Sequence, residues 1–420
     1  MSDADAESVS MRPPRVAPIL WIAVVLAALC TRLAFVAIMP HRILWPDGLE
    51  YEAVAKSLLA HQGYGLQTLR PPGYPTLIAA VYALSGGSLL ALRVVEALLG
   101  TLSVALVGAI GARAFGPVAG LIAAGIMAVH PVMAFLPSTQ YSENTVVLFV
   151  TLAMGAVFAA FTRGAWWRWA IAGALFGLAA LVRPTTAFLL PGLALGLALA
   201  LGATHRPRVV PGLVAALGFV LVVAPWVVRC HEVHGRWFFV ASGGGRQFWV
   251  GNNPRATAET SAPTQWNAAE RESLAAQPDD LARERWHYRE GWRFVRAEPR
   301  RAAWLYVREL GNLFSFWPET FSRQVAIGAA GRWAQGAASL ALFAGVVLSF
   351  ARLRESRLLW PMLGAVVSFA LLSAVFFTVM RYRMVIEPLL LWMAGVGWGS
   401  TRWGAALGGT RPVAAAGISP

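Results

Sequence analysis

The sequence predicts an all-α polytopic membrane protein: a bundle of about ten transmembrane helices with extracytoplasmic loops and amphipathic juxtamembrane helices. Three observations predict it. The 420-residue chain is 57% hydrophobic and 13% charged, with a mean hydropathy of +0.57, whereas soluble globular domains carry about 25% charged residues. Several apolar windows reach the ~20 residues that a ~30 Å hydrocarbon layer requires, and helices satisfy their own backbone polar groups there. The short connections between those windows carry arginine on one side far more than on the other, the pattern of the positive-inside rule.

Spans are expected at 16–39, 89–112, 117–136, 143–162, 168–182, 185–203, 209–228, 332–351, 358–379 and 384–400. Arg12 and Arg15, Arg113, Arg163 and Arg168, His205 to Arg208, Arg352 to Arg357, and Arg402 with Arg411 then share one side, which the rule makes cytoplasmic. Both termini are expected inside. The polar, then basic stretch before the first apolar run reads as a retained tail and signal anchor. The organisation is therefore a tail (1–15), a transmembrane module (16–228) with an extracytoplasmic loop at 40–88, an extracytoplasmic segment with juxtamembrane helices (229–331), C-terminal spans (332–400) and a second tail (401–420). The outer side also receives the Pro137–Ser142 turn, the Arg183–Thr185 break and the Arg381–Arg383 turn. Arg183, Arg381 and Arg383 run against the rule and invite a functional explanation.

The net charge of +14 does not point to nucleic acid, because the basic residues are scattered between apolar spans and form no patch. Nearly all are arginine, which leaves Lys56, the only lysine, conspicuous. Cys30 and Cys230 have neither disulfide nor zinc spacing.

The stretch from Arg42 to Pro75 places the acids Asp47, Glu50 and Glu52, Tyr51 and a lysine beside a proline-rich turn between apolar runs. Acids this close to a bilayer lose hydration and mark a cation, proton or polar-substrate site. Asp47 and Tyr51 are four apart at the start of an amphipathic helix; so are Glu52 and Lys56, a spacing that also makes a helix-stabilising pair. Asp47, after Pro46, has the plainer alternative of an N-cap. Glu143 opens the fourth span on the same side, and Arg183-Pro184 sits where a backbone bend at membrane depth suits a cavity wall. The glycines near Arg246, with an aromatic pair and Asn252-Asn253-Pro254, offer backbone N–H groups and stacking faces suited to phosphate or sugar, or form an ordinary turn-rich loop. From Pro278 to Phe316, helical spacing with Trp286, Trp292 and Trp304, followed by Trp317, fits helices along the membrane surface. His231 and His234 are three apart, not the four of the metalloprotease motif.

Acids, a lone lysine and arginines on one side of a bundle suit a general base beside a cationic clamp for a phosphate leaving group. The same residues suit a transporter or flippase of lipid-linked sugars, in which they serve as proton-relay or headgroup sites.

The chain resembles the polyprenyl-phosphate-sugar glycosyltransferases of the GT-C superfamily, in particular the family that includes protein O-mannosyltransferases and the lipid A aminoarabinose transferase. The resemblance rests on Asp47-x-x-x-Tyr51 after the first span, Gly63-Tyr64, Arg70-Pro-Pro-Gly-Tyr-Pro75 and Arg93. It continues through Ala114-Phe115-Gly116, Ser142-Glu143, Leu181-Val182-Arg183-Pro184, Trp249-x-Gly-Asn252-Asn-Pro254 and Arg381-Tyr-Arg383 with Pro388. It implies transfer of a sugar from a polyprenyl-phosphate donor to an envelope acceptor, with inversion, at the non-cytoplasmic face of the inner (plasma) membrane. Asp47 is then the catalytic base and Glu143 a second acid that orients acceptor or metal. Arg183 and Lys56 contact the carrier phosphate, and Tyr51, Arg70, Arg93, Arg246, Asn252, Arg381 and Arg383 line the substrate site. Where some members have a paired Asp-Glu after the first span, this chain has Asp47-Gly48, and a divalent metal ion is the one cofactor left open.

The orientation is testable. Ala60→Cys should react with an impermeant maleimide from the non-cytoplasmic side only; labelling from the cytoplasm alone would overturn both the topology and the placement of the site.

Overall fold

The computed structural model describes residues 16–65, 67, 69–201, 209–258, 266–316, 329–402, 404 and 407. Most of both tails, Trp317 and the His205–Arg208 connection lie outside the described residues, as do parts of the 229–331 segment. Every regular element among the described residues is helical.

Helix α1 (Pro18–Ile38) leads into two helices, α2 (Pro46–Leu59) and α3 (Gly73–Ser85), where the sequence reading expected mainly a loop. Helix α3 is apolar and buries Tyr74, Ile78 and Tyr82. Prolines just before its start and Gly86, left-handed at φ 65°, just after its end bound it as helix punctuation does. Helices α4 (Leu89–Phe115) and α5 (Pro117–Val129) follow, the latter continued by the short α6 (Pro131–Phe135). This pair bends by 62° at His130, because Pro131 supplies no N–H to carry the helix on. Next come α7 (Glu143–Arg163), α8 (Trp166–Val182), a 3₁₀ turn (Pro184–Phe188), α9 (Leu189–Leu201) and α10 (Val209–His234). The 229–331 segment contributes α11 (Gly244–Gly251), α12 (Ala268–Ala275), α13 (Asp280–Ala297) and α14 (Pro299–Leu313). The C-terminal part holds α15 (Ala329–Ser349), α16 (Leu359–Ser373), a second 3₁₀ turn (Met380–Val385) and α17 (Glu387–Gly399).

Among the described residues six helices are long and apolar enough to cross a membrane, or seven if the bent α5–α6 pair is one span. The chain is a multi-pass membrane protein. The remaining expected spans fall on α8, α16 and α17, which have 17, 15 and 13 residues. They are short of the ~20 that span alone because polar breaks carrying Arg183 and Arg381 interrupt the helical backbone beside them. Outward-facing Leu26, Leu195, Leu213 and Leu221 are exposed, as a lipid-facing surface requires.

Close helix approach rests on glycine. A Cβ on Gly173 would lie 1.8 Å from the Ala215 carbonyl oxygen of α10. Between α9 and α16, a Cβ on Gly192 would lie 1.9 Å from the Gly364 oxygen. Small residues at such crossings let backbones pack by van der Waals contact where lipid offers no hydrophobic driving force. Gly173→Leu must therefore push α8, which ends at Arg183, away from α10; a loss of about 1–3 kcal/mol is expected, read as a lower Tm in detergent, and an unchanged Tm would refute the close contact.

Candidate active site

Asp47 occupies the first turn of α2, directly after Pro46. The N-cap position is Trp45, with no side-chain capping bond, so the carboxylate is not spent on the helix end. Both of its oxygens go to arginines: Oδ1 accepts from Arg70 Nη2 at 2.7 Å and Oδ2 from Arg381 Nη2 at 2.9 Å. Arg70 also donates through Nε to Glu50 Oε2 at 2.7 Å. Arg381 reaches Glu143 Oε1 through Nη1 at 3.3 Å, and Arg183 Nη1 lies 3.0 Å from the same oxygen. The chain of contacts Glu50–Arg70–Asp47–Arg381–Glu143–Arg183 thus balances three carboxylates against three guanidinium groups.

Rings set the arginine planes. Arg381 lies over Tyr141 at 4.1 Å, Arg183 over Tyr382 at 4.7 Å and Arg70 over Tyr51 at 4.8 Å; a desolvated guanidinium gains from such a face. The Tyr51 hydroxyl donates to Ser142 Oγ at 3.3 Å, tying α2 to the residue before Glu143. The network has depth: the Asp47 side chain is 29% exposed and that of Glu143 1%. A substrate can reach the first, whereas the second is sealed beneath the arginines. Glu143 Oε2 and the Nε atoms of Arg183 and Arg381 are buried and make no hydrogen bond, so two guanidiniums keep an unused donor. Burial alone would raise the Asp47 carboxyl, but the adjacent Arg381 and Arg70 charges and their hydrogen bonds outweigh it and hold it well below the usual carboxylate range.

Of the residues the sequence singled out, Asp47, Tyr51, Arg70, Glu143, Arg183 and Arg381 come together here. Lys56 does not: it pairs with Glu52 at 2.9 Å with a side chain 63% exposed, the helix-stabilising arrangement. Arg93 is buried and donates to the carbonyls of Pro40 and Arg42, fixing the entry to α2. Arg383 pairs with Glu387 inside the bundle and donates to the Ser315 carbonyl. Asn252 donates to the carbonyls of Phe248 and Val375, and Arg246 lies over Trp266 at 5.9 Å. The glycine run does form an anion-holding nest, but Glu284 fills it, accepting from Gly245 N at 3.0 Å and from Gly243 N; a phosphate there has to displace that carboxylate. His231 stacks on Trp237 at 4.0 Å. Trp286, expected along the membrane surface, is buried, while Trp292 and Trp304 are exposed.

Glu50, Tyr141 and Tyr382 join the network without having been proposed as site residues. Each adjoined a residue that was: Tyr382 sits between two rule-breaking arginines and Tyr141 lies two before Glu143. The Asp47-Gly48 departure has a steric cause, since a Cβ on Gly48 would meet Ile43 Cγ2 at 2.8 Å and Gln140 Cβ at 3.2 Å. A side chain at position 48 has no room, and the second carboxylate of this turn is Glu50, which pairs with Arg70. Among the described residues no group of three or more histidine, cysteine or acidic side chains is arranged for a metal ion. Asp47 and Glu143 are joined through the Arg381 cation, which does not fit a divalent ion shared between them.

Residues 69–228 match the family model for dolichyl-phosphate-mannose-protein mannosyltransferase. No curated protein sequence matches the chain. Among solved structures, the Archaeoglobus fulgidus oligosaccharyltransferase in its apo form aligns over 93% of this chain and 51% of its own, with TM-score 0.57 and 13% identity. The archaeal oligosaccharyltransferase AglB from Archaeoglobus fulgidus, in complex with an inhibitory peptide and a dolichol-phosphate, aligns over 90% of this chain and 50% of its own, with TM-score 0.53 and 12% identity. ArnT from Cupriavidus metallidurans bound to undecaprenyl phosphate aligns over 91% and 78% at 17% identity, with a TM-score of only 0.39. The chain spans about half the length of the oligosaccharyltransferase chains it matches. The fold is GT-C-like, and the resemblance drawn from the motifs is borne out by the family model and by this fold.

Removing one member of a buried ionic network strands its partners. Glu143→Ala leaves Arg183 without the only carboxylate it meets among the described residues and should cost about 3–5 kcal/mol, whereas Lys56→Ala breaks an exposed pair worth about 0–1 kcal/mol. Thermal unfolding of the two variants side by side checks this; equal Tm values would sink the ranking.

Proposed function

We propose that the chain is an inverting glycosyltransferase that moves a sugar from a polyprenyl-phosphate carrier to an envelope acceptor on the non-cytoplasmic side of the plasma membrane. The observation that carries this reading is the joined network in which a partly exposed carboxylate, Asp47, is held by both Arg70 and Arg381, with Arg183 next along through Glu143. The family-model match over 69–228 and the likeness in fold to a protein solved with a dolichol-phosphate support it. The sidedness rests on the arginine loops, which put Arg183 and Arg381 opposite the cytoplasmic charge.

The reaction divides among these residues. An acceptor hydroxyl hydrogen-bonded to Asp47 attacks the anomeric carbon; the carbon–oxygen bond to phosphate breaks on the opposite face; Asp47 takes the hydroxyl proton. The leaving phosphate keeps the electron pair, and its charge falls to Arg183, Arg381 and Arg70. Guanidinium groups suit that task because their paired donors match phosphate oxygens, and preorganised charge in a water-poor site is worth far more than in bulk water. The resting contacts also couple the two roles. A carboxylate clamped by two guanidiniums is a weak base, and a phosphate that draws Arg381 and Arg70 toward itself returns basicity to Asp47 as the donor seats.

Asp47→Asn is the direct test. Arg70 retains Glu50 and Arg381 retains Glu143 in that variant, so folding and donor binding should persist, while transfer falls by about 10²–10⁴ as for loss of a general base. Near-wild-type turnover removes Asp47 from the chemistry. Continued passage of lipid-linked sugar across proteoliposomes without transfer would instead favour a flippase.

The pH dependence follows from the same geometry. The folded-state Asp47 carboxyl lies below its unfolded value, so its contribution to stability is present above the ordinary carboxylate range and is lost as pH falls through the lower folded value. Arg381→Ala removes one clamp and should move the acid limb of donor-bound turnover and of stability to higher pH; an unmoved limb would contradict the coupling.

A further inference from the structure

The loop 374–379 between α16 and the second 3₁₀ turn carries no side chain of the charged network, yet it ends two residues before Arg381. Its anchors come from the helices of the 229–331 segment. The Phe377 N–H donates to the Gln247 carbonyl of α11 at 3.0 Å, and Asn252 Nδ2 donates to the Val375 carbonyl at 2.9 Å. Thr378 is held at both ends by one residue of α14: its N–H donates to Glu309 Oε2 at 2.7 Å, and its hydroxyl lies 2.8 Å from the same oxygen and also reaches the Glu309 carbonyl. Glu309 is 1% exposed. A carboxylate this deeply buried, with no arginine or lysine among its hydrogen-bond or ion-pair partners in the described residues, is costly. Its partners are the backbone and hydroxyl of a residue three before Arg381, with Asn312 Nδ2 at 3.4 Å. Glu309 Oε1 makes no hydrogen bond. Phe376 of the same loop stacks on Phe188 at 5.9 Å and meets Phe248 of α11 edge-on at 6.2 Å. The loop is thus clamped between the helices of the 229–331 segment on one side and the turn that follows Arg183 on the other.

We infer that Glu309 is a positioning residue for Arg381: by fixing Thr378 it sets where the guanidinium stands relative to Asp47 and Glu143, so that the packing of α11 and α14 is felt in the charged network. This rests on the proposed function only for the ligand used in the test. A displacement of about 1 Å at a group that must meet phosphate oxygens can cost up to about 100-fold, which is ample for a residue that touches no substrate itself.

The experiment is a double-mutant cycle on the full chain in nanodiscs. It combines Glu309→Ala and Arg381→Ala, with Glu309→Gln as the conservative variant, and reads both undecaprenyl phosphate affinity and Tm. Glu309→Gln keeps an oxygen where Thr378 donates and should bind within about 3-fold of wild type, whereas Glu309→Ala should weaken binding about 10-fold or more. In the Arg381→Ala background, Glu309→Ala should weaken binding no further, and the losses of Tm should be less than additive, because the two act as one unit. Additive effects on Tm and affinity would overturn the assignment. If wild-type protein fails to bind the lipid phosphate, the proposed function falls, but the Tm cycle still decides the role of Glu309: coupled losses support it and additive ones reject it.

Discussion

The arrangement depends on one carboxylate shared by two guanidinium groups from opposite ends of the chain. Asp47 meets Arg70 23 residues away and Arg381 334 residues away, so the ion pairs close the rim of the bundle as a disulfide might in a secreted protein. Neither pair alone stabilises much at a partly wet rim. Joined through Arg381 to the sealed Glu143, they form a network whose members cannot be removed singly without leaving a charge unpaired. The energetic stake therefore lies less in the strength of any contact than in the cost of breaking one.

A network of this kind has to be held in place by groups that do not take part in it, and the bundle supplies them as buried polar pins. Glu96 on α4 accepts from Asn144 and from Thr145 at 3.1 Å, the two residues that follow Glu143, and so fixes the first turn of α7. Arg93, about one turn from the start of α4, gathers the carbonyls of Pro40 and Arg42 and sets the approach of α2. Polar groups in such positions are expensive unless satisfied, which is why they sit at helix starts and turns where backbone groups already need partners. Rigidity at the rim is thus built from the same kind of bond as the site itself, but with the charges turned inward.

Much of this was legible in the sequence. Hydropathy gave the class, and arginines that run against the positive-inside pattern expected of the sequence pointed to Arg183 and Arg381, because a charge that breaks a topology bias needs another reason to be there. The spacing of Asp47 and Tyr51 placed both on one face of α2. Lys56 was misleading for a physical reason: rarity in the composition says nothing about direction, and an i,i+4 partner at Glu52 turns it to solvent. The partners themselves were not legible, since pairing across hundreds of residues is set by the crossing of helices, which periodicity does not encode. Glu309 and the filling of the glycine nest by Glu284 were hidden for the same reason. Helix lengths were overestimated where apolar composition runs through a break, because hydropathy averages over the polar residue that ends the backbone ladder.

The Arg381-Tyr382-Arg383 run shows how a short motif divides its labour. In a 3₁₀ turn successive residues are rotated by about 120°, so three consecutive side chains cannot share a direction. Arg381 turns to Asp47 and Glu143, Tyr382 presents its ring to Arg183, and Arg383 points into the bundle to Glu387, beside His130 at the bend between α5 and α6. The two arginines look equivalent in the sequence and differ completely in surroundings. Arg383 is fully buried and matched to a carboxylate one helical turn away, with the Ser315 carbonyl as a further acceptor. That is a reason to keep the turn in one register, and the register is what aims Arg381. Arg383 is sealed inside the bundle, whereas Arg381 keeps a side chain 13% exposed and holds the partly exposed Asp47. The inward arginine fixes the geometry that makes the outward one useful.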